Sequence, residues 1–385
     1  MVLTRFLPLE ITGVFTIAYA NSSLFLLVGR YGVRNYQVSD IKNEYSFLTY
    51  KKARVITVIS MLIAALLFIV ATAYKNNYTL SKSIVMVLAV IYKMPDAIED
   101  LYYGEYQRLG RLDVASKCMS IRLVVTIFCF IVTAVITQNI VIAFVASDLV
   151  SFLMMLYLLT LSKNILVLKE SDCGIKNDAI KVLRECFPLF IGTFLLQYIN
   201  NAPKYAIDSM MSDDVQACFG FISMPVFVTG LLSKIIYDTL IKKMSIFWNE
   251  GNRKLFLKYV YLQTFITIII TLVTVIAGEL IGIPVLSGLY NTDLSNYKKE
   301  FIILLIAGGI LAEATFLNVV LTIMRQQKTT LFAYVISSVV AFCGSNAMIL
   351  AFGIWGAASL YLLLTGVLLI YFMIMFCVKY KVDMR

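Results

Sequence analysis

Lys204, Asp148, Glu313 and Arg122 place charge inside a sequence that is otherwise strongly apolar. Lys204 closes the stretch Gln197-Tyr198-Ile199-Asn200-Asn201-Ala202-Pro203-Lys204-Tyr205, where amides and phenols surround a single cation. A fixed ammonium with neighbouring hydrogen-bond donors can replace the water around a phosphate or a sugar, whose burial is otherwise costly. Gln197, Asn200, Asn201, Lys204 and Tyr205 are therefore candidate substrate ligands. The competing role for Lys204 is an interfacial anchor that snorkels to the headgroups. Asp148 and Glu313 fall deep inside apolar runs. A charge at mid-bilayer costs ~2.5–3.5 kcal/mol on insertion scales, so each must face protein or water. They could bind a coupling proton or Na⁺, line a cavity for sugar hydroxyls, or pair with a neighbouring helix. Arg122 lies one turn inside its run, where it could meet a diphosphate or serve as an anchor at the basic end of its helix.

Other chemistry lacks its residues. Histidine is absent, and Cys118, Cys129, Cys173, Cys186, Cys218, Cys343 and Cys377 form no C-x-x-C pair. Without imidazole there is neither the usual general base nor the commonest metal ligand. The cysteines read as small apolar packers. The expectation is a protein that binds and moves something, with no enzymatic step, cofactor or metal.

These side chains must be carried by membrane helices. The chain has 385 residues, of which 60% are hydrophobic and 15% charged, against roughly 25% charged in a soluble domain. Residues 55–74, 259–278 and 353–378 contain no charge at all, and ~20 apolar residues cross the ~30 Å hydrocarbon core as a helix. Apolar runs and their polar punctuation give an all-α polytopic protein of about eleven spans. They are A 11–29, B 55–74, C 82–98, D 117–137, E 140–161, F 186–203, G 215–234, H 259–279, I 301–324, J 329–351 and K 355–378. Pro95 in C and Pro225 in G are expected to kink or break their helices, and Gly308, Gly309 and Gly344 to allow close packing or bending.

The formal net charge of +10 does not indicate nucleic acid, because the cations alternate with the spans. Counting the residues that flank each loop at the adjoining span ends, all Lys and Arg except Arg5, Lys75, Lys82, Lys204, Lys298 and Lys299 group with the loops A–B, C–D, E–F, G–H, I–J and the C-terminal tail. That asymmetry assigns those loops to the cytoplasm. An odd number of spans leaves the first residue outside, so one N-terminal helix is expected to be missing. A weak internal repeat agrees. Gly13-Val14-Phe15 leading to Lys51-Lys52 matches Gly220-Phe221-Ile222 leading to Lys242-Lys243, and Gln107-Arg108-Leu109-Gly110-Arg111 matches Arg325-Gln326-Gln327-Lys328. Pairing A–E with G–K gives an N-terminal lobe of five helices (1–161), a polar linker (162–185) and a C-terminal lobe of six (186–385).

With those segments in view, the sequence resembles a known family. Leu3-Thr4-Arg5-Phe6-Leu7-Pro8-Leu9-Glu10-Ile11-Thr12-Gly13-Val14-Phe15 is similar to the segment joining the first two helices of Wzx-type polysaccharide repeat-unit flippases. Gly104-Glu105-Tyr106-Gln107-Arg108-Leu109-Gly110-Arg111 and Asn200-Asn201-Ala202-Pro203-Lys204-Tyr205 are further points of likeness. Such flippases belong to the multidrug/oligosaccharidyl-lipid/polysaccharide (MOP) superfamily, together with the MATE transporters, and have twelve or more helices. The resemblance implies a MATE/MOP-like pair of lobes and alternating access in a bacterial inner membrane. It also implies an undecaprenyl-diphosphate-linked oligosaccharide as substrate, for O-antigen, capsule or other lipopolysaccharide assembly. Further partners on this reading are membrane lipids, H⁺ or Na⁺ for coupling, and a polysaccharide polymerase. Two alternatives are a MATE-type cation-coupled exporter, for which Lys204 and its amides are poorly suited, and a membrane-embedded polymerase or glycosyltransferase. The latter needs an outer loop rich in acids, which 280–300 is not. A fragment without activity is the remaining possibility.

Overall fold

A computed structural model describes residues 2–40, 44–162 and 178–382. The chain divides into two compact units, Val2–Phe194 and Leu195–Arg385, with Met1 grouped with the second. In chain order the first unit holds α1 (Leu3–Phe6), α2 (Leu9–Arg30), α3 (Val33–Ser39), α4 (Phe47–Asn76), α5 (Leu80–Arg108), α6 (Leu112–Thr137) and α7 (Ile140–Ser162). The helix α8 (Ala179–Met210) begins in this unit. The division therefore falls inside α8, between Phe194 and Leu195. Of the expected linker, residues 163–177 lie outside the described residues.

Local sequence starts and stops these helices. Ser46 caps α4 by accepting from the Thr49 amide at 3.1 Å, and Thr79 caps α5 by accepting from the Lys82 amide at 3.2 Å. Each bond satisfies one amide that the first turn leaves without a partner. The helix α4 shows how a span sorts its faces. Ala53, Thr57, Met61, Ala65 and Ile69 recur every four residues and are buried, while Ile59, Ile63, Leu66 and Val70 are exposed. A lipid-facing stripe of that kind needs no cover in hydrocarbon, and small residues on the other face let helices approach closely. At Gly29 a Cβ would come within 2.6 Å of Met61 Sδ and 2.9 Å of Ala97 Cβ, so only glycine fits that crossing.

The second unit contains the rest of α8, then α9 (Asp213–Ser223), α10 (Val226–Asn249), α11 (Arg253–Ala277), a π-turn (Gly278–Gly282), α12 (Ile283–Tyr290), a 3₁₀ turn (Ser295–Tyr297), α13 (Lys298–Ile323) and α14 (Gln327–Val382). α14 folds into two limbs at Gly353, whose φ of 58° and ψ of −135° no helix contains. Its core joins Ile199 and Ala202 of α8 to Leu317 and Leu321 of α13 and to Ala341, Leu360, Leu364 and Phe372 of α14.

All eleven spans read from the sequence are present. Among the described residues, eight helical segments are long and apolar enough to cross a membrane. To these are added α5 and α8, of 29 and 32 residues, whose charges keep them below that hydropathy. The second limb of α14, counted with the first, completes the set.

Two expectations about breaks need correction. α5 runs unbroken from Leu80 to Arg108 through Pro95. The proline removes one backbone bond, in a stretch where Lys93, Ala97 and Glu99 are buried. Gly344 neither bends its limb nor allows a close approach, since a Cβ there would meet nothing within 4 Å. Pro225 does break its helix, separating α9 from α10.

Candidate functional site

Gln197, Asn200, Asn201 and Lys204 stand at i, i+3, i+4 and i+7 on α8, which puts them on one helical face. That face lines a cavity of ≈ 430 Å³ within the second unit. The opposite walls come from Phe227, Gly230, Lys234 and Tyr237 of α10, from Leu304, Gly308, Ala312 and Thr315 of α13, and from Tyr361 of α14. Ser223, Met224 and Val226, which flank the break at Pro225, also belong to the lining. The break is thus part of the site. The helices can meet this way because Gly308 has no side chain: a Cβ there would lie 2.8 Å from the Val226 carbonyl oxygen.

Some polar groups of the cavity are engaged within their own helices: Ser223 Oγ donates to the Gly220 carbonyl at 3.0 Å and Thr315 Oγ1 to the Leu311 carbonyl at 2.8 Å. Asn201 Nδ2 donates to the Gln197 carbonyl at 3.0 Å, which fixes the rotamer and leaves its own amide oxygen to the cavity. Asn200 Oδ1 is buried without a hydrogen-bond partner. Among the described residues, neither Lys204 nor Lys234 has an ion-pair or hydrogen-bond partner, and no carboxylate is in the lining. Two ammonium groups, three side-chain amides and the hydroxyls of Ser223 and Thr315 therefore face one space. Such a set is suited to anionic oxygen with hydroxylated groups around it. A cation would find amide oxygens there but would be opposed by two ammonium groups with no carboxylate to offset them.

Lys234 was not singled out in the sequence, because a lysine near the end of span G reads as part of a basic loop. The signal available was its spacing, seven residues after Phe227 and three before Tyr237, on the face of α10 that turns inward. Tyr205 is placed differently from the other four candidates. It follows Lys204 directly, but its ring stacks on Tyr198 with centroids 6.0 Å apart, and it is not among the residues lining the cavity.

Arg122 lies in the first unit, where it is buried and fully engaged. Its Nε donates to Glu99 at 2.7 Å, its Nη1 to Ser151 at 3.0 Å, and its Nη2 to Asp96. Glu99 also accepts from the Tyr103 hydroxyl at 2.6 Å, and Asp96 pairs with Lys93 at 3.5 Å. The Lys93 ammonium lies 4.6 Å from the centre of the Tyr19 ring. Arg122 is neither an open diphosphate ligand nor an anchor; it neutralises two carboxylates inside the helix packing. Lys93 and Asp96, the charges in the second half of span C, and Glu99 just beyond it are the partners in this network.

Asp148 in α7 is 6% exposed, and neither carboxylate oxygen has a hydrogen-bond partner. Glu313 in α13 accepts from Thr264 Oγ1 at 2.7 Å, while its Oε2 is buried and unpartnered. It does not share the lysine cavity. It lies in a separate, mainly apolar pocket of ≈ 510 Å³ with Thr264, Thr267 and Thr271 of α11.

In comparisons with known proteins, no curated protein matches the chain. A multidrug-resistance MATE family transporter of the MOP superfamily, in an inward-facing conformation, is similar in structure with a TM-score of 0.66 at 14% identity, covering 99% of this chain and 93% of that one. The lipid II flippase MurJ, in an inward closed conformation, matches with a TM-score of 0.66 at 11% identity over 97% of this chain and 87% of that one. A MOP superfamily transporter from Pyrococcus furiosus, described for the reverse polarity of its binding pocket, matches with a TM-score of 0.60 at 12% identity over 99% and 89%. These likenesses establish the MATE/MOP fold. The family model for polysaccharide biosynthesis proteins matches residues 1–241. With more than half of its length so matched, the chain belongs to the polysaccharide biosynthesis protein family.

Proposed function

We propose that this protein is a flippase that moves undecaprenyl-diphosphate-linked oligosaccharide repeat units across a bacterial inner membrane by alternating access. The observation that carries the reading is the cavity of the second unit, with Lys204 and Lys234 unpaired, Gln197, Asn200 and Asn201 beside them, and no acid in the lining. A diphosphate that leaves the headgroup region loses its hydration and must find cations and donors in its place. The sugar hydroxyls match the amides and hydroxyls, and the lipid tail remains in hydrocarbon. MurJ, a lipid II flippase by name, and the Pyrococcus furiosus transporter with its reversed pocket polarity support the view that this fold accommodates such a change of pocket chemistry.

Asp148 and Glu313 are the sites we assign to the coupling ion, H⁺ or Na⁺. Asp148, with neither carboxylate oxygen partnered, and Glu313, with one oxygen held by Thr264 and the other unpartnered, are both stabilised when a proton or a cation joins them. Both acids lie outside the lysine cavity lining, which keeps them from competing with an anionic substrate. A cation exporter of the MATE type is disfavoured by the same lysines.

In a strain lacking this gene, the intact coding sequence should restore surface polysaccharide. The Lys204→Ala variant should restore insertion into the membrane but not export, with lipid-linked oligosaccharide accumulating on the cytoplasmic leaflet. Full export by Lys204→Ala would remove this cavity from the transport path.

A further inference from the structure

A second group of cations lies in the first unit. Arg30, the last residue of α2, Arg34 in the first turn of α3, and Arg54 in the second turn of α4 converge on one carboxylate, Asp100 of α5. Their pairing is uneven. Arg54 donates through Nη2 to Asp100 Oδ2 at 2.9 Å and through Nη1 to the Gly29 carbonyl, which also accepts from Thr57 Oγ1 at 2.8 Å. That carbonyl belongs to the last turn of α2, where acceptors have no partner within the helix. Arg54 is thus committed to closing α2 and holding Asp100.

The second oxygen, Asp100 Oδ1, is left to Arg30 Nε at 3.9 Å and Arg34 Nη1 at 3.6 Å. Both distances lie beyond hydrogen-bond range. Arg30 Nε and Arg54 Nε are buried with no acceptor, and Arg54 as a whole is 2% exposed. Arg34 also donates to Gln107, a neutral amide, at 2.9 Å. The acids on the surrounding elements are engaged elsewhere. Glu105 accepts from Gln37 and pairs with Arg108, Glu185 of α8 accepts from Tyr36, and Asp40 accepts from Tyr50. Three guanidinium groups meet one carboxylate, so positive charge is left in excess.

The backbone is shaped for this convergence. Tyr31 and Gly32 are both left-handed, with φ of 49° and 69°, and the turn brings Arg34 back beside Arg30. The side chains of Arg30 and Arg34 keep 37% and 29% of their exposure, against 3% for Arg54. The floor is closed and the two outer forks are reachable. A planar guanidinium fork matches two oxygens of one phosphate.

We infer that Arg30 and Arg34, backed by Arg54, form a binding site for a phosphate-bearing lipid headgroup at the end of the first unit that carries the basic loops. The site draws on none of the residues of the Lys204 cavity, and the inference stands whether or not that cavity carries the substrate.

The test uses the full chain in detergent micelles, in a Lys204→Ala/Lys234→Ala background that removes the cavity cations. Radiolabelled inorganic pyrophosphate should bind this protein in equilibrium dialysis, with affinity at least tenfold lower in Arg30→Gln/Arg34→Gln. Competition identifies the source of the phosphate: displacement by farnesyl diphosphate alone indicates the transported lipid, and displacement by phosphatidylglycerol micelles indicates the bilayer's own headgroups. If the double variant does not fold, Arg34→Gln alone, at a half-buried position, should lower affinity at least threefold. An unchanged affinity in a folded variant, or no binding in the starting background, would overturn the site.

Discussion

Lys204 and Arg122 are both cations within membrane helices, and their surroundings give them opposite roles. Arg122 has a partner for each of Nε, Nη1 and Nη2, so removing it takes the nearest cation from Glu99 and Asp96 and leaves them to the Tyr103 hydroxyl and Lys93. Breaking a buried ion pair from one side costs about 3–5 kcal/mol. Arg122→Ala should therefore lower the melting temperature of the detergent-solubilised protein markedly, whereas Lys204→Ala should not; equal melting temperatures would show that the network contributes nothing. Lys234→Ala should resemble Lys204→Ala. The loss of one charge-assisted bond, about 1.5–3 kcal/mol, predicts roughly tenfold or greater weakening of a prenyl diphosphate, measurable by competition with labelled pyrophosphate. The amide-rich run around Lys204 was legible because such residues are rare in a span facing lipid. The pairing of Arg122 was not, since nothing in a linear sequence reports that the turn of α5 carrying Asp96 and Glu99 packs against α6.

Helix order was legible because hydrocarbon imposes a length and a polarity on each crossing, while the helices themselves run past the spans read, α5 to Arg108 rather than 98 and α10 to Asn249 rather than 234. The two prolines show where that reading runs out. Pro225 separates α9 from α10 at a break whose neighbours Ser223, Met224 and Val226 line the cavity, while Pro95 sits inside a continuous helix. Sequence alone gives both the same weight, and packing decides. Gly308 sets the distance between α13 and the start of α10, so Gly308→Val must push them apart. That variant should express with reduced stability in thermal unfolding and should lose transport, while Gly344→Ala, at an open position, should leave both unchanged. A Gly308→Val variant with full stability would contradict the packing described.

For the molecule as a whole, the alternation of basic loops predicts an orientation with those loops in the cytoplasm. With the native cysteines replaced, a cysteine at Lys52 should resist membrane-impermeant maleimides in intact cells, and one at Lys299 should react; the reverse pattern would invert the topology. Family membership and the shared MATE/MOP fold describe the machine, but the cargo is argued from two lysines and three amides. The decisive measurement is reconstitution in proteoliposomes with a fluorescent short-chain prenyl-diphosphate oligosaccharide, whose passage to the opposite leaflet is read by quenching from one side. The intact protein should accelerate passage, and Lys204→Gln/Lys234→Gln should abolish it while leaving the protein folded and inserted. Equal passage in the two proteins would contradict the account.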